Sequence, residues 1–305
     1  MAVSFELKSD ESRAALRHTE SRSSWGGGPP ESTTEICSHF RNASQYTLTE
    51  SVARKNPNTA LRPATASSHR LRNQVALVTG ATRGIGLAIA RALAAENCNL
   101  VVTGRDESAL RRIGRELAST KIKILAHPCD LRDPQSIDDL FRAVRKQFKR
   151  LDILINNAGI AHANLTIDKI PLPLWQDVIN TNLTGTFLIT QAALVMMKSG
   201  GTIVNNLSVG ANRVFAGSAA YVASKHGVLG LTNTLREELR PKGIRVISLL
   251  PGATNTEIWN TLWPQAPRKK MMSSATIATA VVNAILLPPN ATVETLEILP
   301  TVGLL

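Results

Sequence analysis

From Asn73 onward, short β-branched runs alternate with longer amphipathic stretches, and this alternation constrains the chain more than any other feature. The runs are Val75–Thr79, Leu100–Thr103, Ile122–Ala126, Ile153–Ile155, Thr202–Asn206, Arg245–Leu249 and Thr295–Leu299. Between them lie stretches such as Leu87–Glu96, Pro134–Phe148 and Ala220–Leu239, with apolar residues at helical spacing. Several runs are continuously apolar, which suits strands covered on both faces. Strand–helix alternation of this kind predicts an α/β fold, a doubly wound seven-stranded parallel sheet with helices on both faces. Asp133-Pro134 supplies an N-cap followed by proline at the first helical position, a good helix start. There is no room for a second domain after residue 70, so residues 71–305 read as one unit.

Residues 1–70 differ. Nineteen of them are Ser or Thr, a Gly-Gly-Gly-Pro-Pro run (Gly26 to Pro30) interrupts the segment, and apolar residues show no useful period. Such a composition buries too little surface to offset chain entropy, so disorder is expected. The segment lacks the apolar core of a secretory signal, and its seven acids weigh against an organellar transit peptide. An extraneous start and an unassigned role both remain open.

Composition removes several function classes. With 305 residues and 43% apolar content the chain can bury a real core, yet no stretch approaches the roughly 20 apolar residues of a membrane span. Cys37, Cys98 and Cys129 are far apart, odd in number and without CxxC spacing. They fit a reducing, cytoplasmic compartment, with Cys98 and Cys129 as small apolar fillers. His127, His162 and His226 show no ligand spacing, so no metal is expected. The net charge of +12 suits anionic small molecules or acidic partner proteins. With 4% aromatics and no basic stripe interleaved with them, no nucleic-acid partner is expected.

The first strand ends in Thr79-Gly80-Ala81-Thr82-Arg83-Gly84-Ile85-Gly86 and runs directly into a helix. Glycines there let the backbone turn tightly and approach a pyrophosphate seated on the N–H groups of the helix start. A glycine-rich string alone is a weak signal, but here the strand before it and the helix after it supply the required context. The spacing Gly-x-x-x-Gly-x-Gly resembles that of the short-chain dehydrogenase/reductase family, whose single domain is of Rossmann type. Further motifs carry the same resemblance in order: Asn156-Asn157-Ala158-Gly159, Asn182, Ser208, Tyr221-Val222-Ala223-Ser224-Lys225 and Pro251-Gly252. The likeness covers about residues 73–300.

The second strand points to the cofactor. NAD is held by an acid at this strand's end, whereas the 2′-phosphate of NADP needs a cation. The end reads Val102-Thr103-Gly104-Arg105, with no acid before Arg105, and Arg83 in the glycine loop can approach the same phosphate. Guanidinium forks suit phosphate, so the expected cofactor is NADP(H). Asp106 reads as a helix cap. The resemblance further implies that Asp130 and Leu131 flank the adenine and that Asn157 lies against a ribose. It also puts Thr254 and Thr256 near the carboxamide, and Ala158, Gly159, Pro251 and Gly252 on the cofactor. On spacing alone Asp130 is equally a turn or cap residue.

Protonating an alkoxide requires an acid tuned toward pH 7. Tyr221 and Lys225 stand four apart in a helix, on one face, and a cation beside a phenol lowers its pKa. Ser208 at a strand end can donate to the substrate oxygen. By resemblance Asn182, Ser208, Tyr221 and Lys225 form a catalytic tetrad, with Asn182 holding the lysine and a water chain. The chain has two tyrosines; Tyr46 falls in the first 70 residues, leaving Tyr221 as the tyrosine of the domain.

The segment Glu257 to Lys270 reads as a lid carrying Trp259, Trp263 and the cluster Arg268-Lys269-Lys270. Its aromatics suit an apolar substrate body. Its basic cluster could attract a carboxylate or an acidic carrier protein, or serve as a solubilising rim. The resemblance thus implies an NADP-dependent enzyme acting on a small carbonyl or alcohol, in a homo-oligomer. The alternatives are a 3-oxoacyl carrier-protein reductase and a non-catalytic nucleotide sensor on the same fold.

Overall fold

Strand β1 (Val75–Thr79) serves two cores at once. Val75 and Leu77 pack into one, Ala76 and Val78 into the other, because successive side chains of a strand point to opposite faces. This is why the run is apolar throughout instead of alternating. In the computed structural model, residues 70–118 and 121–305 are described, and they belong to one compact unit. The disorder expected for residues 1–70 falls, except for Arg70, outside the described residues.

The other strands are β2 (Asn99–Gly104), β3 (Ile124–Pro128), β4 (Leu151–Asn156), β5 (Met197–Asn206), β6 (Arg245–Pro251) and β7 (Thr295–Ile298). They form one seven-stranded sheet in the order β3-β2-β1-β4-β5-β6-β7, every pair parallel. Helices α1 (Gly84–Ala95), α2 (Glu107–Leu117) and α8 (Ser274–Ile285) cover one face through Ile89, Leu93, Ile113 and Val281. On the other face lie α3 (Pro134–Gln147), α5 (Gly185–Leu194) and α6 (Ala219–Leu239), through Phe141, Val144, Ile189 and Leu235. The remaining helices, α4 (Leu172–Ile179) and α7 (Trp259–Leu262), belong to the rim of the site.

Helix ends follow local chemistry. Asp106 caps α2 by accepting from the Ala109 amide at 3.0 Å, and Asp133 caps α3 by accepting from Gln135 at 3.0 Å with Pro134 next in line. Helix α1 closes with Asn97 in the left-handed region (φ 58°), Cys98 N bonding back to Leu93 O at 3.1 Å and Asn97 N to Ala94 O at 2.9 Å.

Every strand but β1 differs from the sequence reading at one end or both, most of all β3 and β5. Strand β3 starts at Ile124 because the Lys123 amide donates to the Asn99 side chain at 2.9 Å before the ladder begins. It continues to Pro128, which an edge strand tolerates because proline's missing N–H breaks no inner ladder. Strand β5 begins at Met197, not Thr202. Its register against β4 jumps from Leu151–Met197 to Ile153–Thr202, and the exposed Lys198-Ser199-Gly200 bulges out with Gly200 at φ 85°.

Candidate active site

The strand order reverses between β1 and β4, and the loops leaving the C-terminal ends of neighbouring strands part there. A cleft of about 1690 Å³ opens along this edge. It is lined by residues after β1, β2, β3, β4, β5 and β6, so one concave surface collects motifs scattered over 180 positions of sequence.

At its centre the glycine loop is held by β4. The Thr79 hydroxyl accepts from the amides of Asn157 (2.9 Å) and Ala158 (3.0 Å), and the Asn157 side-chain amide donates to Thr79 O (3.0 Å) and Gly80 O (3.1 Å). Gly80 and Gly84 have φ of 62° and 56°. A Cβ on Gly86 would lie 2.3 Å from the Asn157 amide nitrogen and 2.4 Å from Gly80 O, so no side chain fits. Arg83, the residue before α1, makes no capping bond with its side chain. The first-turn N–H groups of a twelve-residue helix therefore face the cleft, with Thr82, Gly84 and Ile85 lining it. This cradle, free of Cβ atoms and rich in donors, fits a pyrophosphate.

At one end the glycine loop, the end of β2 and helix α2 bring cations together. Arg83, Arg105 and Arg112 all line the cleft, and among the described residues none of them forms a salt bridge. Arg112 lies on α2 and was not singled out by sequence, since a surface arginine within a helix carries no local mark of what it faces. Asp106 accepts from Ala109 N and from Ser108 Oγ (2.7 Å), so its capping role occupies the carboxylate. Asp130 also lines the cleft, but its carboxylate is clasped by Arg132 at 2.6 Å, which lowers its pKa; Arg132 reaches on to Asp177 at 2.7 Å. Leu131 is buried beside it and packs against Gly185.

The other end holds Ser208, Tyr221 and Lys225. Ser208 follows β5, its Oγ accepts from Gly210 N at 3.0 Å, and it stands near Tyr221 around Gly210. Lys225 is buried, donates to Asn206 O at 3.0 Å and stands 5.6 Å from the Tyr221 ring centroid. Burial pushes the Tyr221 phenol up, against a smaller downward pull from Ser208, and pushes the Lys225 ammonium down to about 8. In the protein alone burial thus displaces the phenol upward, opposite to the tuning expected from sequence.

Asn182 lies in a π-helical turn, Asn180–Thr184, between α4 and α5. Its side chain accepts from Ile160 N (2.8 Å) and donates to Ile160 O (2.9 Å) and Ser224 Oγ (3.0 Å). It approaches Lys225 across Gly159: a Cβ there would be 3.3 Å from Asn182 Oδ1 and 3.6 Å from Lys225 Nζ.

After β6, Pro251 and Gly252 lead into the lid. Thr254 is buried with its hydroxyl on Gly252 O (3.0 Å), and Trp259 Nε1 donates to Thr254 O (2.8 Å). Thr256 approaches the glycine loop, its methyl 3.2 Å from where a Gly84 Cβ would stand. Arg268 is turned onto the lid itself, donating to Thr256 O (2.5 Å), Asn255 (3.2 Å) and Asn260 (2.7 Å).

Sequence reasoning missed two further features. Asn206 donates to Asn157 Oδ1 at 2.8 Å while its carbonyl receives Lys225, linking the glycine loop to the tyrosine end. Behind the site runs a buried chain of hydrogen bonds from Asn182 O through Thr186, Thr190, Asn156 and Asn205 to Thr232, with spacings of 2.7–2.8 Å. The available signal was polar side chains, Asn156 and Asn205, inside otherwise apolar strands.

A doubly wound parallel sheet, a glycine cradle at its switch point and a Tyr–Lys pair with a buried lysine in the same cleft define a nucleotide-dependent oxidoreductase. Residues 74–267 match the short chain dehydrogenase family, and the chain belongs to it. It is 38% identical over 192 residues to the 3-oxoacyl-[acyl-carrier-protein] reductase of Synechocystis, covering 62% of this chain and 77% of that one. A crystal structure of actinorhodin polyketide ketoreductase with NADPH superposes with a TM-score of 0.67 at 33% identity, over 75% of this chain and 97% of that one. The 3-ketoacyl-(acyl-carrier-protein) reductase of Brucella melitensis, complexed with NADH, gives 0.69 at 26% identity over 76% and 98%.

Proposed function

We propose that this enzyme interconverts a carbonyl and an alcohol with NADP(H). The observation that carries the reading is one cleft with Ser208, Tyr221 and Lys225 at one end and the glycine cradle with three unbridged arginines at the other. Fold likeness does not choose the cofactor, since similar structures carry NADPH or NADH. Arg105, where an acid would hold the NAD ribose, favours NADP, with Arg83 and Arg112 beside it. Asp130 and Leu131 would flank the adenine, and the loop from Gly80 to Gly86 would take the pyrophosphate.

Held there, NADP(H) would supply the hydride exchanged with the substrate carbon. In the reducing direction Tyr221 gives its proton to the substrate oxygen, and in the oxidising direction it takes the proton back. Ser208 donates a hydrogen bond to the same oxygen. The Lys225 ammonium, fixed by Asn206 O, favours the phenolate left on Tyr221. Asn182 orders Ile160 and the start of the Ser224–Lys225 turn. Titrating NADPH and NADH by tryptophan fluorescence, followed by a ketone panel, tests the reading; it predicts tighter NADPH binding and NADPH-dependent turnover.

Reduction of a 3-oxoacyl thioester on a carrier protein is the second reading, favoured by the likeness to the Synechocystis reductase. Turnover of carrier-bound 3-oxoacyl groups far above free ketones would select it. Among the described residues no helix is long and apolar enough to cross a membrane. A cytoplasmic homo-oligomer is our reading of the assembly, supported by Leu172 on α4 and Phe187 on α5, both apolar and exposed. Size-exclusion chromatography with light scattering tests it.

A further inference from the structure

Among the described residues, the substrate end of the cleft gathers large apolar side chains and offers no available cation. Ser208, Tyr221 and Phe215 converge on one point: a Cβ on Gly210 would be 3.5 Å from Ser208 Oγ, 3.5 Å from Tyr221 Cε1 and 3.7 Å from Phe215 Cε2. The Phe215 ring therefore borders the two hydroxyls that would meet the substrate oxygen. Val214, Trp259, Leu262 and Trp263 line the same cleft, with the two indoles edge to face at 6.5 Å. Val214 (80%) and Trp263 (44%) are far more exposed than large apolar side chains usually are, and both exposures open on the cleft.

The charged side chains lining the cleft divide sharply by place. Arg83, Arg105, Asp106, Arg112 and Asp130 stand at the glycine loop and the ends of β2 and β3. Lys225 is buried and bound to Asn206 O. From the lid comes a single charge, Glu257, an anion whose Oε2 is 3.7 Å from a Gly84 Cβ position. Arg268 is locked onto lid acceptors, and neither Lys269 nor Lys270 lines the cleft. The basic cluster that sequence offered as a carboxylate trap thus points elsewhere. A carboxylate entering beside Tyr221 would leave water and, among the described residues, find no free cation there.

The geometry points to an uncharged substrate whose carbonyl carries an apolar body seated against Phe215, Trp259 and Trp263, with free oxo acids excluded. This rests on the carbonyl-reduction reading above. The test uses the full chain with NADPH and a matched pair, an alkyl 3-oxo ester and the free 3-oxo acid of the same carbon skeleton. Expected are a kcat/KM at least 100-fold higher for the ester and, for Phe215→Ala, a KM for the ester raised at least tenfold with NADPH affinity unchanged. Parity between acid and ester, or an unchanged ester KM in both Phe215→Ala and Trp263→Ala, overturns the inference while carbonyl reduction stands. Turnover of neither compound, with NADPH binding intact by fluorescence titration, overturns the carbonyl-reduction reading and the inference together.

Discussion

Lys225 holds its ammonium 5.6 Å from the centroid of the Tyr221 ring, one helical turn along α6, and anchors it on the Asn206 carbonyl at 3.0 Å. Lys225 is buried and its ammonium is held by a backbone carbonyl, not by a mobile side chain. Replacing Tyr221 by Phe keeps the ring and removes only the proton donor. Turnover should fall by about 10²–10⁴-fold while NADPH affinity stays within about twofold. Stopped-flow turnover with fluorescence titration checks both, and near-normal turnover would remove Tyr221 from the mechanism.

Lys225 also carries a stability signature. Burial lowers its pKa to about 8 from an unfolded value near 10.5. The cost of keeping it charged is therefore fully present below pH 8 and fades as pH rises toward 10.5, where both states are neutral. Lys225→Met should be inactive yet more stable at pH 7, by an upper bound of about 3 kcal/mol at 1.36 kcal/mol per pKa unit. The advantage should shrink between pH 8 and 10. Denaturant melts at pH 7 and pH 10 decide it, and a pH-independent difference would refute buried titration.

Cofactor choice separates two adjacent residues. Arg105→Ala should weaken NADPH by about 10- to 150-fold, the equivalent of 1.5–3 kcal/mol for a charged hydrogen bond, and leave NADH nearly unchanged. Arg112→Ala should act in the same direction more weakly. Asp106→Ala should instead lower the melting temperature modestly with the cofactor ratio intact, since its carboxylate caps α2. Isothermal titration of both cofactors against the three variants tests this, and equal losses for NADH and NADPH would place Arg105 away from the 2′-phosphate.

Gly86→Ala forces a Cβ to within 2.4 Å of Gly80 O and 2.3 Å of the Asn157 amide. The loop and its Asn157 clamp must shift, so cofactor binding should drop by at least about tenfold, the equivalent of 1.4 kcal/mol, in a protein that remains folded by circular dichroism. Wild-type affinity in this variant would show that the clamp yields cheaply.

Local chemistry made much of this legible before any coordinates. The Asp106 and Asp133 caps act within three residues, the apolar strand runs report on their own backbone, and Tyr221–Lys225 share a face through helical period alone. The family's motifs located the cleft's other residues because their order along the chain maps onto successive strand ends. Boundaries failed where a distant partner intervened: Asn99 taking the Lys123 amide, or β4 forcing a bulge at Lys198-Ser199-Gly200.

By itself the sequence determined the periodicities that build a covered parallel sheet, and it marked the glycines, the arginines and the Ser–Tyr–Lys set that we propose carry the chemistry. Only tertiary structure decided how they are held and what they exclude. Asn206 joins Asn157 to Lys225 across separations of 49 and 19 residues, and Arg268 folds back onto its own lid. Arg112 turns toward the cleft and Phe215 borders Ser208 and Tyr221. A side chain's direction is set by what packs around it, and those neighbours come from strands that meet in space only once the sheet has closed. Spacing along a chain records period and reach, but not which cation remains unpaired or which ring faces a cleft.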